Sequence, residues 1–449
     1  MPSPFDTTPH VETLAPQNRG HARAAIALWV LGIACFALWI GWWARSMKID
    51  RLAYGQATWV HPLPFLGGDF RVHIDHVSRL WAAGRDFYLD PCCPRACREQ
   101  PFAPTVPRLF TWVRFFDTKT ATRVWIGSLA AIVVLASAVV ACKRLSLGLK
   151  TPPWPVLAAL LGFCTPFVTA MERAQIDPIV IPALFLAGWL LTRNGPHRAT
   201  CELFAGALLG VFAWVKYYPA LAFVGLLALK RGRAAAAFCV VFVGIGVIDL
   251  PRVREAIAMG TANANDHDNL RAHTNVVQHS IAKFWPRIWH ESPFPAIAKI
   301  PGSAVAACSL GMPMLLLAAR VARSPARDRL ATPLLLWLTA AGTFALPYSN
   351  DYNLTALPIA LLSVWSLRDH PAIHVAAMLM LPWWQPFIVP IEGPPLFVAK
   401  IAGLYAIAAC IESRLTALES RMETRPSAIH APWFKRRALH ASLARKAIS

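Results

Sequence analysis

The chain has 449 residues, of which 56% are hydrophobic and only 15% are charged, whereas a soluble domain carries about a quarter charged residues. Its mean hydropathy is +0.44, and the apolar residues fall in blocks of about 15 to 20, a length that suits the hydrocarbon core of a bilayer. This composition excludes a soluble globular protein. It predicts an all-α, polytopic membrane protein with about ten to twelve transmembrane helices.

The formal net charge is +20, which in a soluble protein would favour nucleic acid as a partner. In this chain much of the positive charge lies in short loops and in the C-terminal tail. Such a distribution is typical of a membrane protein whose basic loops face the cytoplasm and anionic lipid headgroups. We therefore expect membrane lipids as partners and no nucleic acid.

Apolar blocks and polar stretches divide the chain into three parts. Residues 1–23 form an N-terminal tail, residues 24–411 a transmembrane domain, and residues 412–449 a basic C-terminal tail. The first apolar block lacks a small-residue cleavage site, so we expect it to be retained as a span. Two long polar loops, residues 44–123 and 251–302, interrupt the transmembrane domain.

Lysine and arginine in the short loops predict the orientation. A cytoplasmic N-terminus puts the following basic short loops inside: Lys143, Arg144 and Lys150; Arg193 and Arg198; Lys230, Arg231 and Arg233; Arg320, Arg323, Arg327 and Arg329; and Arg368. This requires residues 203–229 to form two short helices that meet near Lys216, and Pro219 favours such a break because proline lacks a backbone donor. The prediction is a multi-pass protein of the plasma (inner) membrane with both termini cytoplasmic and both long loops outside.

The first long loop contains an amphipathic helix that begins at a carboxylate. Phe70, Ile74, Val77 and Trp81 share one helical face, which is typical of a helix that lies in the membrane surface. Asp69 stands at the start of this helix. It either caps the helix by accepting free amide hydrogens or serves as a general base at the water–lipid boundary, and the two roles are compatible.

Another face of this helix carries Asp75 between Arg71 and Arg79. Its polar side chains complete the amphipathic pattern of a helix at the membrane surface. Asp75 is therefore a further candidate site residue in the same loop.

Two further segments place charge beside hydrocarbon, which is costly unless the charge is paired or functional. Glu172, Arg173 and Asp177 lie between two short apolar blocks. They form either a local ion pair with a helix cap or a polar site recessed between helices. Lys216 lies at the predicted outer helix break, where a point charge suits a lipid phosphate; its structural alternative is a lysine that reaches the membrane surface through its aliphatic stem.

The outer segments hold two more candidate residues and a cysteine cluster. His279 lies in the second long loop, although a lone histidine is more often structural. Asp351 belongs to a polar cluster at a span junction, where helix capping is the structural alternative. Cys92, Cys93 and Cys97 lack the paired spacing of zinc sites, so we expect a disulfide on the oxidising outer face and predict no metal site there.

Four segments, taken in their order along the chain, resemble glycosyltransferase family 87, a bacterial family of multi-spanning C-type glycosyltransferases. They are Asp69-Phe70 followed by Ala83-Gly84-Arg85-Asp86-Phe87-Tyr88; Glu172-Arg173-Ala174-Gln175-Ile176-Asp177; Lys216-Tyr217-Tyr218-Pro219; and Pro347-Tyr348-Ser349-Asn350-Asp351-Tyr352. The resemblance covers roughly residues 24–361. Some family members carry a histidine pair at the last junction, where this chain has Tyr352-Asn353.

The resemblance implies a C-type glycosyltransferase fold and a polyprenyl-phosphate sugar as donor. It implies transfer of mannose, or of another hexose or a pentose, to a lipid or glycan acceptor on the outer face, with inversion at the anomeric carbon. Asp69 would be the base, Lys216 would hold the phosphate, and the remaining candidates would shape the site: Glu172, Arg173, Asp177, Asp75, Tyr218, His279 and Asp351. We expect no cofactor beyond the lipid-linked donor, and the need for a divalent metal stays open.

Two other functions are compatible with the same residues. A multi-spanning transporter or a lipid or glycolipid flippase also uses broken helices and buried charges. Its signature would be two repeats with matching interruptions, whereas the sequence has one long outer loop near its start. A non-catalytic membrane assembly factor would tolerate Asp69→Asn and Lys216→Ala with no loss beyond stability.

Overall fold

The fold is described from a computed structural model that covers residues 17–48, 67–89, 103–265, 281, 285, 295–345, 351–380 and 394–423. Within these ranges the chain forms helices, turns and loops and contains no strand. The prediction of an all-α fold is therefore confirmed for the described residues.

The helices follow the apolar blocks of the sequence. In the first half of the chain they are α1 (Gln17–Lys48), α2 (His76–Ala82), α3 (Thr105–Leu109), α4 (Thr118–Ser146), α5 (Trp154–Gly162), α6 (Thr165–Arg173), α7 (Val180–Leu191), α8 (Arg198–Val215) and α9 (Ala222–Ala228). In the second half they are α10 (Gly232–Ile248), α11 (Leu250–Asn265), α12 (Gly302–Ala306), α13 (Met312–Arg323), α14 (Ala331–Ala345), α15 (Ala356–Val364), α16 (Pro371–Met380) and α17 (Pro394–Glu423).

Five of the described helices are long and apolar enough to cross a membrane, or up to seven if each bent pair of helices is one span. Three shorter apolar helices accompany them. A protein with several membrane-crossing helices is thus supported, while the number of ten to twelve spans stays a prediction. Large apolar side chains such as Val240 and Ile248 are 72% and 76% exposed, as expected for side chains that lipid tails would cover.

The core is centred on α14, which is buried at every residue from Ala331 to Phe344. A helix that is apolar on all sides belongs inside a bundle. Around it pack α7, α9, α15 and α17, together with the turn at Tyr218–Leu221. This arrangement brings the helix break at Lys216 next to the central helix.

Helices α8 and α10 approach each other through small residues. Gly206 and Gly210 form a Gly-x-x-x-Gly pair on α8, a spacing that lets helix backbones come close in a membrane. A Cβ at Gly206 would overlap the backbone carbonyl of Ala234, and one at Gly210 would lie 3.0 Å from the carbonyl oxygen of Phe238. The close approach therefore depends on the missing side chain at Gly206.

We expect Gly206→Ala to destabilise the protein by about 1–3 kcal/mol, because the added methyl group must push α8 away from α10. The matched control is Gly244→Ala on α10, where an added Cβ meets no atom within 4 Å. This control should be neutral or slightly stabilising, since alanine has the higher helix propensity. Thermal unfolding of the two purified variants in detergent measures the difference; equal midpoints would contradict the proposed contact.

The predicted helix break near Lys216 is confirmed. Helix α8 ends at Val215, Lys216 has an extended backbone (φ −145°, ψ 132°), and a short turn from Tyr218 leads into α9.

Other boundaries differ from the prediction. Helix α17 extends through Glu423, so residues 412–423, assigned to the tail, continue the last helix, and α11 makes the start of the second long loop helical after a bend of 85°.

Candidate functional site

The start of the helix in the first long loop is fixed by a glycine. Gly67 has φ +74°, a conformation that favours glycine, and its N–H donates to the carbonyl of Glu172 at 2.7 Å. A wide helical turn, Phe70–Asp75, follows and continues into α2. The backbone bond holds the beginning of this loop helix, and with it Asp69, against the end of α6.

The apolar face of the loop helix packs against protein. Phe70 and Ile74 are fully buried and Val77 nearly so; the ring of Phe70 stacks on Trp125 at 6.2 Å and meets Phe110 edge-on at 6.0 Å. The prediction of which residues share the apolar face is therefore correct. The expectation that Phe70 and Ile74 contact lipid is wrong, because both are buried in protein. Periodicity identifies which residues share a face and not what that face covers.

We expect Gly67→Ala to be more damaging than Gly84→Ala, although both glycines have φ near +75° and alanine there costs about 1–2 kcal/mol. At Gly84 an added Cβ meets nothing within 4 Å, whereas at Gly67 it overlaps the methyl group of Thr122. Thr122 is held by a 2.7 Å bond from its hydroxyl to the carbonyl of Thr118. The unfolding midpoints of both variants test this; a Gly67→Ala midpoint equal to that of Gly84→Ala would contradict it.

Asp69 does not cap the helix, which corrects the structural interpretation of this residue. Its backbone is helical and its side chain accepts no capping hydrogen bond. Instead Oδ2 accepts from Nη1 of Arg173 at 3.4 Å and from Nε2 of Gln175. The side chains of Asp69 and Arg173 are 15% and 16% exposed, so the pair is sheltered but reachable.

The turn that supplies Arg173 and Gln175 has an unusual backbone. Ala174, directly after α6, has φ 52° and ψ 47°, a left-handed conformation that costs a non-glycine residue about 1–2 kcal/mol. Trp125 Nε1 donates to its carbonyl at 3.0 Å, and the N–H of Gln175 donates to Ala170 at 2.8 Å. Strain of this kind often occurs at functional sites, and here the side chains on either side of Ala174, those of Arg173 and Gln175, reach the same carboxylate.

A second carboxylate lies at the end of the same turn. Asp177 is fully buried, and Lys216 Nζ lies 3.1 Å from its Oδ2. Tyr218 Oη donates to Oδ1 at 2.8 Å, and Asn353 Nδ2 donates to the same oxygen. Residues from three distant parts of the sequence thus meet at one carboxylate, and Lys216 remains 18% exposed.

The structure joins most of the predicted site residues through residues 172–177. Arg173 contacts Asp69, and Lys216 and Tyr218 contact Asp177. Glu172, on the same turn, is buried. These three segments of the prediction, residue 69, residues 172–177 and residues 216–218, therefore form one connected polar region.

Asp75 lies in a different contact set. It is buried, pairs with Arg79 at 3.0 Å and accepts from Thr118 Oγ1 at 2.7 Å. This ties the loop helix to the start of α4, which gives Asp75 a structural role; a role in substrate binding stays a prediction.

The remaining candidates are only partly described. Asp351 begins a short helical turn, but its side chain, like His279 and the cysteines Cys92, Cys93 and Cys97, lies outside the described residues. Sequence reasoning missed two residues of the site: Gln175, which contacts Asp69, and Asn353, which contacts Asp177. Both lie inside or beside the motifs used for the resemblance, and proximity to those motifs was the available signal.

The first long loop is also bound to the bend between α10 and α11. Arg108 and Arg252 both bind the buried carboxylate of Asp249, at 2.6 and 3.0 Å, and Arg252 also binds Asp86 at 2.6 Å. Both guanidinium groups lie over Trp81, 5.0 and 5.3 Å from the ring centroid. The charges are mutually satisfied, so this cluster acts as an anchor for the loop.

Tyr88 packs beside this anchor against Val77, Phe87 and Ala256. Burial raises the pKa of Tyr88 well above its ordinary value, and the neighbouring Asp86 and Asp249 add to the effect. The phenol therefore keeps its proton at physiological pH.

Within the part of the chain that the structure describes, no group of three or more histidine, cysteine, aspartate or glutamate side chains is arranged to hold a metal ion. No family model matches the sequence, and no curated protein and no solved structure matches it either. The resemblance to glycosyltransferase family 87 therefore depends on the four segments alone and remains a prediction.

Proposed function

We propose that this chain is a membrane glycosyltransferase. It transfers a hexose or pentose, such as mannose, from a polyprenyl-phosphate donor to a lipid or glycan acceptor on the extracytoplasmic face of the plasma membrane. The observation that carries the proposal is the connection of Asp69 to Lys216 through the 172–177 turn. A carboxylate and a cation, far apart in sequence, lie at the two ends of one sheltered polar turn.

The reaction assigned to this site is a single displacement. The acceptor hydroxyl oxygen forms a bond to the anomeric carbon while its proton passes to the carboxylate of Asp69. The bond from the anomeric carbon to the phosphate oxygen breaks, and its electron pair stays on that oxygen, so polyprenyl phosphate leaves. The configuration at the anomeric carbon inverts, and Asp69 later returns its proton to water.

Lys216 supports this reaction as a phosphate ligand. An ammonium group has three N–H donors, and the ion pair with Asp177, in which Nζ lies 3.1 Å from Oδ2, holds it in place. Negative charge develops on the departing phosphate, and preorganised cations at such a position usually contribute the largest part of catalysis. Proton abstraction by Asp69 would add about 10²- to 10⁴-fold.

The competing function is a transporter or lipid flippase. The break at Lys216 and the bent pair formed by α10 and α11 favour it, because transporters build their sites at interrupted helices. The two functions differ in one respect: a transferase cleaves the donor, whereas a flippase moves it intact.

Proteoliposomes separate these functions. The protein is reconstituted with a polyprenyl-phosphate sugar labelled in both the lipid and the sugar, with and without acceptor lipids. The proposal predicts that sugar and lipid labels separate only when acceptor is present. Transbilayer movement of the doubly labelled donor without cleavage would instead establish the flippase.

A further inference from the structure

Gln175 contacts the proposed base in a specific way. Its Nε2 donates to Oδ2 of Asp69, the same oxygen that Arg173 contacts. Every hydrogen bond that the described residues make with the Asp69 side chain is to Oδ2, and Oδ1 receives none from them. The carboxylate is therefore held by one oxygen, with the other left for substrate.

The orientation of the Gln175 amide is dictated by that contact. An ionised carboxylate only accepts hydrogen bonds, so the NH₂ end of the amide must face Asp69. The amide oxygen Oε1 then points away, and it is buried with no hydrogen-bond partner among the described residues. Gln175 itself is only 1% exposed.

A purely structural amide in a protein core would normally satisfy both of its ends. Buried polar atoms without partners are uncommon, and each one calls for an explanation. Here the donor end is used on a carboxylate while the acceptor end is left unsatisfied. The left-handed backbone of Ala174 is a second local cost on the same turn, of the kind found at functional sites.

We propose that Gln175 is a positioning residue for the transfer reaction. Together with Arg173 it fixes Asp69 through Oδ2, so that Oδ1 is the oxygen that receives the acceptor proton. The inference rests on the proposed glycosyltransferase function and adds a residue that sequence reasoning did not assign. Precise orientation of a base matters because a displacement of about 1 Å can lower a rate by about 100-fold.

The test compares wild type with Gln175→Met, which keeps the side-chain length and removes the donor. Steady-state sugar transfer is measured with a polyprenyl-phosphate sugar as donor. We expect kcat to fall by up to about 100-fold, with the KM for the donor within about twofold of wild type and an unchanged unfolding midpoint. A merely structural role would lower stability and change KM together with kcat.

Gln175→Glu is the second variant, for use if Gln175→Met does not fold. It keeps the side-chain length and places a carboxylate oxygen where the amide NH₂ donor stood. The transfer rate should therefore fall at least as far as in Gln175→Met. If wild type transfers sugar and a folded variant keeps kcat within about twofold, the inference is overturned while the proposed function stands. If wild type transfers no sugar, the proposed function fails first.

Discussion

Replacing Asp69 by asparagine is expected to lower sugar transfer by about 10²- to 10⁴-fold, because the amide cannot accept the proton of the acceptor hydroxyl. The substitution keeps the shape of the side chain, and the backbone of residue 69 makes the helix independently of its side chain. The protein should therefore stay folded. The measurement is the initial rate of transfer by purified protein in detergent, with the unfolding midpoint recorded for the same sample.

Asp75→Asn is the matched control on the same loop helix. Asp75 is buried against Arg79 and Thr118, so its amide variant should lose stability and keep the transfer rate per folded molecule. Equal transfer by wild type and Asp69→Asn would remove Asp69 as the base. Asp75 and Glu172 would then become the carboxylates to test.

Replacing Lys216 by methionine is expected to destabilise the protein by about 3–5 kcal/mol, the usual cost of leaving a buried charge without its partner. Asp177 is fully buried, and Lys216 is the cation that its Oδ2 contacts. A second substitution, Asp177→Asn, should restore part of the loss, because the double variant no longer buries an unpaired carboxylate. The free energy of unfolding of both single variants and the double variant forms a double-mutant cycle.

Arg198→Met is the control for this cycle. Arg198 also pairs with a buried carboxylate, Glu202 at 2.8 Å, but its side chain is 51% exposed and Arg231 binds the same oxygen. An exposed pair of this kind is worth less than about 1 kcal/mol. A double variant as unstable as Lys216→Met alone would show that the Asp177–Lys216 pair does not account for the loss.

Composition and periodicity were sufficient to predict a helical chain with helices apolar enough to cross a membrane, and to predict the helix break at Lys216. The break was predictable because a charge, two aromatic residues and Pro219 interrupt an apolar run, and local chemistry alone ends a helix there. The contact between Lys216 and Asp177 was not predictable from spacing, since it joins segments that come together only in the folded chain.

Charge patterns were less informative about burial. Arg231 was counted with a basic loop, yet it is 2% exposed and bridges Glu202 and Asp328, each at 2.8 Å. Asp75 was placed on a polar helix face and is buried. A sequence reports the charge of a residue, whereas its partners come from other helices and become visible only in the folded chain.

Gln175 and Asn353 were overlooked for a related reason. Amide side chains carry no charge, so their presence near hydrocarbon did not draw attention in the way that Lys216 did. Each nevertheless donates to a carboxylate of the site. Their importance lies in orientation, which hydrophobic periodicity does not encode.

The most direct test of the glycosyltransferase function is sugar transfer by purified wild-type protein in nanodiscs. The donors are radiolabelled polyprenyl-phosphate hexoses and pentoses, and the acceptor is a lipid extract from the source cells. We predict that one donor loses its sugar to the extract while an equal amount of polyprenyl phosphate is released. Recovery of every donor intact, from protein that remains folded throughout, would contradict the proposed function.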